Sequence, residues 1–323
     1  NLSELLIEKS YYDLNLDFYK RIHRSITGWP GGKPDSDDKV RPERSKPAKK
    51  RVLILSPHPD DDVIAMGGTF DRLVAQGHEV HVAYQTSGNI AVSNSDVLRY
   101  LEVINSTFPD CECENDELIE MLKNSSDIIN NSRIREIAAT IRENESLAAP
   151  RFIGIPDNQV HFLKLPFYET GTIKKNIPTV EDKKIISETI KKIKPHQIYA
   201  AGDLADPHGT HKVCLDILFD SLKDLKSKTF MNDCWVWLYR GAWHEWPIHE
   251  IDMAVPMSPF QVLRKRKAIF YHQTQKDNVM FQGDDNREFW VNTEDRNGAI
   301  AKKFRTIGMS DYTAIETFKR YHF

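Results

Sequence analysis

From Arg51 to Thr86 the residue pattern changes period twice, and that change limits the fold more than any other feature of the chain. Val52-Leu53-Ile54-Leu55 is an unbroken apolar run of strand length. Val63, Met66, Phe70, Leu73 and Val74 then recur at helical spacing as far as Gly77, and Glu79 to Thr86 reads as a second strand. A strand, a helix and a strand within about 35 residues form a βαβ unit, which implies a parallel sheet.

The same alternation continues downstream. Ser87 to Glu145 reads as mainly helical, with polar loops around Pro109 to Asn115 and turn formers from Asn124 to Asn131. Short strands are expected at Arg151 to Ile155 and His161 to Leu165, a helix at Glu181 to Ile193 closed by Pro195, and a buried strand at Gln197 to Ala201. Cys234 to Tyr239 and Ile251 to Val255 read as strands, Pro259 to Gln275 and Glu288 to Ile307 as helices. The predicted fold class is α/β: a Rossmann-like three-layer domain with a mainly parallel sheet and no internal repeat. Ahead of it, Leu2, Leu5, Ile7, Tyr11, Leu14, Phe18 and Ile22 are spaced as in helices up to Gly28-Trp29-Pro30-Gly31-Gly32, and Lys33 to Lys50 is a polar linker. Residues 1–50 are therefore expected to form a helical extension and linker, and residues 51–323 the domain.

In open parallel sheets ligands gather at the carboxyl ends of the strands, and two charged clusters stand at such ends here. The first is His58-Pro59-Asp60-Asp61-Asp62; the second runs from Asp203 to His211 and contains Asp206, His208 and His211. If the strands before them are neighbours, the clusters converge. Three carboxylates and a histidine in one short turn are costly unless a cation sits among them. Zinc held by three nitrogen and carboxylate ligands, with a position left for water, is the usual arrangement for hydrolysis. His58, one aspartate and one histidine of the second cluster would supply the ligands. Successive side chains diverge, so one of the adjacent aspartates would ligate while its neighbour stays free as a general base. Asp62, at the helix start, is placed to cap exposed N–H groups. A phosphate site is the competing reading of a strand-to-helix turn, but three aspartates repel an anion.

Other motifs are excluded. His244 and His249 are five apart with Pro247 between them, which forbids a helical metal pair. No Gly-x-Ser-x-Gly elbow or Gly-x-Gly-x-x-Gly fingerprint occurs. Trp243 and Trp246 read as core aromatics ahead of a sugar platform. The 44 basic and 47 acidic residues leave a net charge of −3, with no footprint for nucleic acid. No run approaches the roughly 20 apolar residues of a membrane span, and no signal-peptide order opens the chain, so a soluble cytoplasmic protein is expected. Cys111, Cys113, Cys214 and Cys234 read as free thiols.

Ser56-Pro-His-Pro-Asp-Asp-Asp62, followed by Val63-Ile-Ala-Met-Gly-Gly-Thr69, resembles the opening of the PIG-L or LmbE-like zinc-dependent N-acetylglucosaminyl deacetylases. Arg133-Ile-Arg-Glu136 is similar to that family's Arg-x-x-Glu helix, His208-Gly-Thr-His211 to its second metal motif, and His272-Gln-Thr-Gln275 to its late His-x-Ser-Gln segment. The resemblance spans roughly Arg51 to Gln275. It implies Zn2+ held by His58, Asp61 and His211, with Asp60 as general base. It further implies His208 at the tetrahedral intermediate or the leaving amine, Arg133 at the substrate's polar end, and His272 as a further active-site group. The implied reaction is removal of the N-acetyl group from an N-acetylglucosamine-type sugar or its 6-phosphate. Two positions depart from the family pattern: Thr210 stands for an acidic residue and Asp62 for a glutamate, leaving Asp206 or Asp203 to tune His208. A sugar-binding regulatory domain, or a metal-dependent hydrolase of another amide or ester, is the alternative. The linker Thr27-Gly-Trp-Pro-Gly-Gly-Lys-Pro34 also resembles that of bacterial fusion proteins with an N-terminal glucosamine-6-phosphate deaminase half. That likeness implies a tethered deaminase domain; a homo-oligomer is compatible with the sequence.

Overall fold

The computed structural model describes residues 9–33, 47–108, 115–124, 131–170, 174–205, 209–241, 243–276 and 287–323. Helix α1 (Tyr11–Ser25) precedes the sheet, and the expected polar linker lies mostly outside the described residues. The chain then alternates β1 (Arg51–Ser56), α2 (Asp61–Ala75), β2 (Glu79–Tyr84), α3 (Asn94–Thr107), α4 (Asn115–Asn124), α5 (Ser132–Ile153) and β3 (Val160–Phe162). It continues with α6 (Val180–Ile193), β4 (Gln197–Ala201), α7 (Thr210–Leu225), β5 (Trp235–Tyr239), β6 (Met253–Met257), α8 (Pro259–Phe270), α9 (Phe289–Thr306) and β7 (Ala314–Tyr321).

The strands form a seven-stranded sheet in the order β3-β2-β1-β4-β5-β7-β6. The first five pair in parallel, as the βαβ pattern requires, while β7 runs antiparallel between β5 and β6. Chain order reverses between β1 and β4, whose residues Val52 to Leu55 align with Gln197 to Ala200. That switch point opens a crevice at the carboxyl ends of the two strands that precede the charged clusters.

Side chains of β1 alternate between two fully covered faces. Leu53 and Leu55 pack with Ile186 and Ile190 of α6 and Leu215, Leu218 and Leu222 of α7. Val52 and Ile54 pack with Val63, Phe70 and Leu73 of α2, Ile153 of α5 and Ile269 of α8. A smaller cluster joins Val97 and Leu101 of α3, Leu118 and Leu122 of α4, and Ile134 and Ile141 of α5. The N-terminal extension is pinned to this body: Ile22 is fully buried, the Thr27 N–H donates to the Ala254 carbonyl at 2.8 Å, and Gln197 Nε2 to the Pro30 carbonyl at 3.1 Å. Among the described residues no helix is long and apolar enough to cross a membrane.

The helix expected over Pro259 to Gln275 ends at Phe270, and two further elements differ from expectation. The strand expected at Arg151 to Ile155 is instead the end of α5, which runs on to Ile153 and stops where Gly154 takes φ 110°. A short apolar run does not separate a buried helix turn from a strand, and the left-handed glycine is the deciding stop signal. Strand β7 had no counterpart among the expected elements. Its Glu316 is fully buried and holds α2, which breaks at Met66 (φ −136°). The carboxylate accepts from the N–H groups of Gly68 (3.0 Å) and Thr69 (2.6 Å), and pairs with the buried Lys265 ammonium at 2.7 Å. Removing one partner of such a pair strands the other charge in the core, so Glu316→Gln is expected to cost about 3–5 kcal/mol in urea unfolding. A cost below ~1 kcal/mol would mean that the pair is solvated in solution.

Candidate metal centre

The turn between β1 and α2 is built by its own side chains. Ser56 Oγ lies 2.6 Å from the His58 carbonyl and accepts from the Asp62 N–H at 3.1 Å, while the His58 N–H donates to Asp61 Oδ2 at 2.8 Å. Asp60 adopts φ 129°, a backbone state that a non-glycine residue holds at about 1–3 kcal/mol when its surroundings enforce it. Those surroundings include Arg142 of α5. Its Nη2 donates to the Pro59 carbonyl and lies 3.3 Å from Asp60 Oδ2.

Across the switch point, His211 projects from the first turn of α7. Its Nδ1 lies 2.9 Å from the Asp203 carbonyl, which puts a proton on Nδ1 and anchors the ring. Its Nε2 stands 3.1 Å from Asp61 Oδ2, and His58 Nδ1 stands 3.3 Å from the same oxygen. The Asp203 carboxylate in turn accepts from the N–H groups of Trp243 (2.6 Å) and His244 (2.7 Å), so the strand end that orients His211 is itself held. One donor atom each from His58, Asp61 and His211 lies within 4.8 Å of the other two. Two imidazoles and a carboxylate at this separation, one with its second nitrogen anchored on a carbonyl, fit a divalent ion of the zinc type.

The three adjacent carboxyls are electrostatically distinct. Burial works against ionisation of Asp61, yet the rings of His211 and His58 hold it well below the usual carboxylate range. Burial pushes Asp60 up to about 7 against the pull of the Arg142 guanidinium, with Asp61 and Asp62 adding to the rise. Burial also lifts Asp62 to about 7, although Tyr84 Oη donates to its Oδ2 at 3.1 Å. Asp62 is therefore no helix cap. It lies inside the first turn of α2, with its carboxyl turned inward to Tyr84 and Ser56.

The structure brings His58, Asp61 and His211 together and sets Asp60 beside them. His272 is fully buried and held near 3 by burial and by Arg142; both its ring nitrogens, with Nε and Nη1 of Arg142, lack hydrogen-bond partners among the described residues. His208 lies outside the described residues, as do Asp206, Cys111 and Cys113; Cys214 and Cys234 are buried. Arg133 stands on the exposed side of α5, paired with Glu136 at 2.7 Å. Trp246 is a core residue, its Nε1 donating to the Leu238 carbonyl at 3.1 Å beneath the Arg240 guanidinium.

Arg142 and Glu145 escaped notice in the sequence. They repeat the Arg-x-x-Glu spacing of Arg133 and Glu136 nine residues later on the same helix, about 13 Å along its axis. Three residues apart, they share a face. Arg142 reaches Asp60, and Glu145 accepts from the Thr274 N–H (2.7 Å) and hydroxyl (2.8 Å), fixing the segment that carries His272.

The family model described as PIG-L, GlcNAc-PI de-N-acetylase, matches residues 53–221, which run from within β1 through the whole of α5 and into α7. The chain belongs to the PIG-L family. Membership places it among hydrolytic deacetylases. A Bacteroides thetaiotaomicron protein described as glucosamine-6-phosphate deaminase-like is 47% identical over 99% of the chain, and the chain spans 50% of that relative's length. Among solved structures, the N,N'-diacetylchitobiose deacetylase of Pyrococcus horikoshii, complexed with its inhibitor MPG, aligns over 84% of both chains at 20% identity and TM-score 0.51. The 4-carboxy-2-hydroxymuconate hydratase of Pseudomonas putida KT2440 aligns over 84% of this PIG-L chain and 96% of its own, at 14% identity and TM-score 0.53. Both likenesses concern the fold, which evidently carries more than one chemistry.

Proposed function

We propose that the protein is a zinc-dependent hydrolase that removes the N-acetyl group of an N-acetylglucosamine-type sugar, releasing acetate and an amine. The observation that carries this reading is the convergence of His58, Asp61 and His211 with a fourth group, Asp60, buried beside them and outside the ligand set. His58, Asp61 and His211 would hold the ion, which when bound supplies a Lewis acid for the amide carbonyl and a water of lowered pKa. Asp60 takes the proton of the attacking water, and the Arg142 guanidinium, 3.3 Å away, holds its carboxylate in place. The same proton is then available to the departing nitrogen, through Asp60 or through His208 in the role the family pattern gives it. His272, uncharged, closes the buried polar wall beside Arg142. The relative's description and doubled length support a tether to a deaminase module in a longer protein.

Purified chain loaded with zinc is expected to release acetate from an N-acetylglucosamine derivative, to stop on chelation and to recover with zinc. Recovery of intact sugar from a tight complex would overturn catalysis in favour of sugar binding.

A further inference from the structure

Residues 61–65, which open α2, lie between two departures from regular backbone: Asp60 at φ 129° and Met66 at φ −136°, ψ 23°. A break inside a helix frees N–H groups just after it and carbonyls just before it, and when buried these need other partners. Side chains from the last third of the chain supply them here. The Glu316 carboxylate of β7 accepts from the N–H groups of Gly68 and Thr69 and, at 2.6 Å, from the Thr69 hydroxyl. Thr293 of α9, itself buried, donates from Oγ1 to the Ile64 carbonyl at 2.7 Å and lies 3.3 Å from the Gly241 carbonyl, just past β5. Arg296, on the same face of α9, donates to that Gly241 carbonyl at 3.3 Å. A Cβ at Gly68 would meet Met257 Sδ at 2.1 Å, so the bare backbone there lets β6 close against the break.

We infer that Thr293 is a positioning residue for the metal centre: from α9 it sets the tilt of residues 61–65, and with it the place of the Asp61 carboxylate between His58 and His211. The inference rests on the candidate ligand set and adds to it a residue beyond position 221, where the family match ends. In an unbroken helix the direction of Asp61 would follow from the packing of the whole of α2 against the sheet. The break at Met66 uncouples the first turn from that packing. The start of the turn is held by Ser56 Oγ on the Asp62 N–H (3.1 Å) and by the Asp60 carbonyl on the Ile64 N–H (2.9 Å); its end is held by Thr293. Ile64 follows Asp61 by about one helical turn, so a shift of its carbonyl is carried directly to the candidate ligand. Glu316 fixes the other side of the same break, and the two side chains together secure both its ends.

The test follows metal binding in wild type, Thr293→Val, Thr293→Ser, Ile300→Ala and His211→Ala. Competition with a chromogenic chelator gives the zinc Kd, and the visible spectrum of the cobalt(II)-loaded protein reports the geometry around the ion. Thr293→Val removes the hydroxyl at nearly constant volume. It should raise the zinc Kd about tenfold, the lower end of the loss when an outer partner of a metal ligand is removed, and shift the cobalt spectrum. Thr293→Ser keeps the donor and should stay within about threefold of wild type. Ile300→Ala, on the same helix but in the separate apolar cluster of Phe304 and Ile315, should lower Tm and leave Kd and spectrum unchanged. A Thr293→Val protein with a Kd within about threefold of wild type and an unaltered spectrum would overturn the inference. So would an equal rise in Kd in Ile300→Ala, which would leave Thr293 a contributor to stability alone. A zinc Kd untouched by His211→Ala would instead overturn the ligand set beneath the inference, whereas a Kd sensitive to His211 but not to Thr293 would overturn the inference by itself.

Discussion

Asp60→Asn is expected to lower kcat for acetate release by about 10²–10⁴-fold, the usual contribution of a positioned general base, while the protein keeps its metal. Retention follows from the geometry. One oxygen of Asp61 faces both histidines, whereas the carboxylate of Asp60 is engaged by Arg142. Asparagine is the informative replacement because it preserves shape and still accepts from the guanidinium. It also tolerates positive φ better than alanine, which would add backbone strain at φ 129° to the loss of the carboxylate. Metal analysis and single-turnover kinetics separate the outcomes. Loss of the ion with loss of activity would make Asp60 a ligand, and a rate within about threefold of wild type would remove it from proton transfer.

The gathering of the candidate ligands was legible because it is local on each side of the switch point. An apolar strand, a short polar turn and a helix bring His58, Asp60 and Asp61 to one place, and the second strand does the same for His211; a parallel sheet then has few ways to arrange its strands. What could not be read depends on burial. The carboxyl of Asp62 turns inward because Tyr84, on the neighbouring strand, offers a hydroxyl at 3.1 Å, and nothing near position 62 in sequence announces that. Strand β7 pairs with β5 and β6 while Ala314 to Phe318 bury their side chains on the two faces of the sheet, including a glutamate whose partner, Lys265, is 51 positions away. A buried Glu within a candidate strand argues against the strand until that partner is known. The two Arg-x-x-Glu pairs of α5 are the sharpest instance: same helix, same spacing, opposite environments.

That contrast makes Arg142 the second large effect. Arg142→Met should destabilise the protein by about 3–5 kcal/mol, because Asp60 loses its cation in a buried turn and the Pro59 carbonyl loses its donor. It should also lower kcat/KM by about 10²-fold in the fraction that stays folded, since the base is no longer held in position. Arg142→Lys keeps the charge but not the planar fork that reaches both Pro59 and Asp60, and should fall between wild type and Met in both measurements. The same change to methionine at Arg133, whose exposed pair with Glu136 contributes at most about 1 kcal/mol, should have the smaller effect on both. Urea unfolding and steady-state kinetics on the three variants decide the matter. An Arg133→Met enzyme crippled while Arg142→Met remains active would return the substrate-binding role to the first pair and leave the second as a support for the turn beneath it.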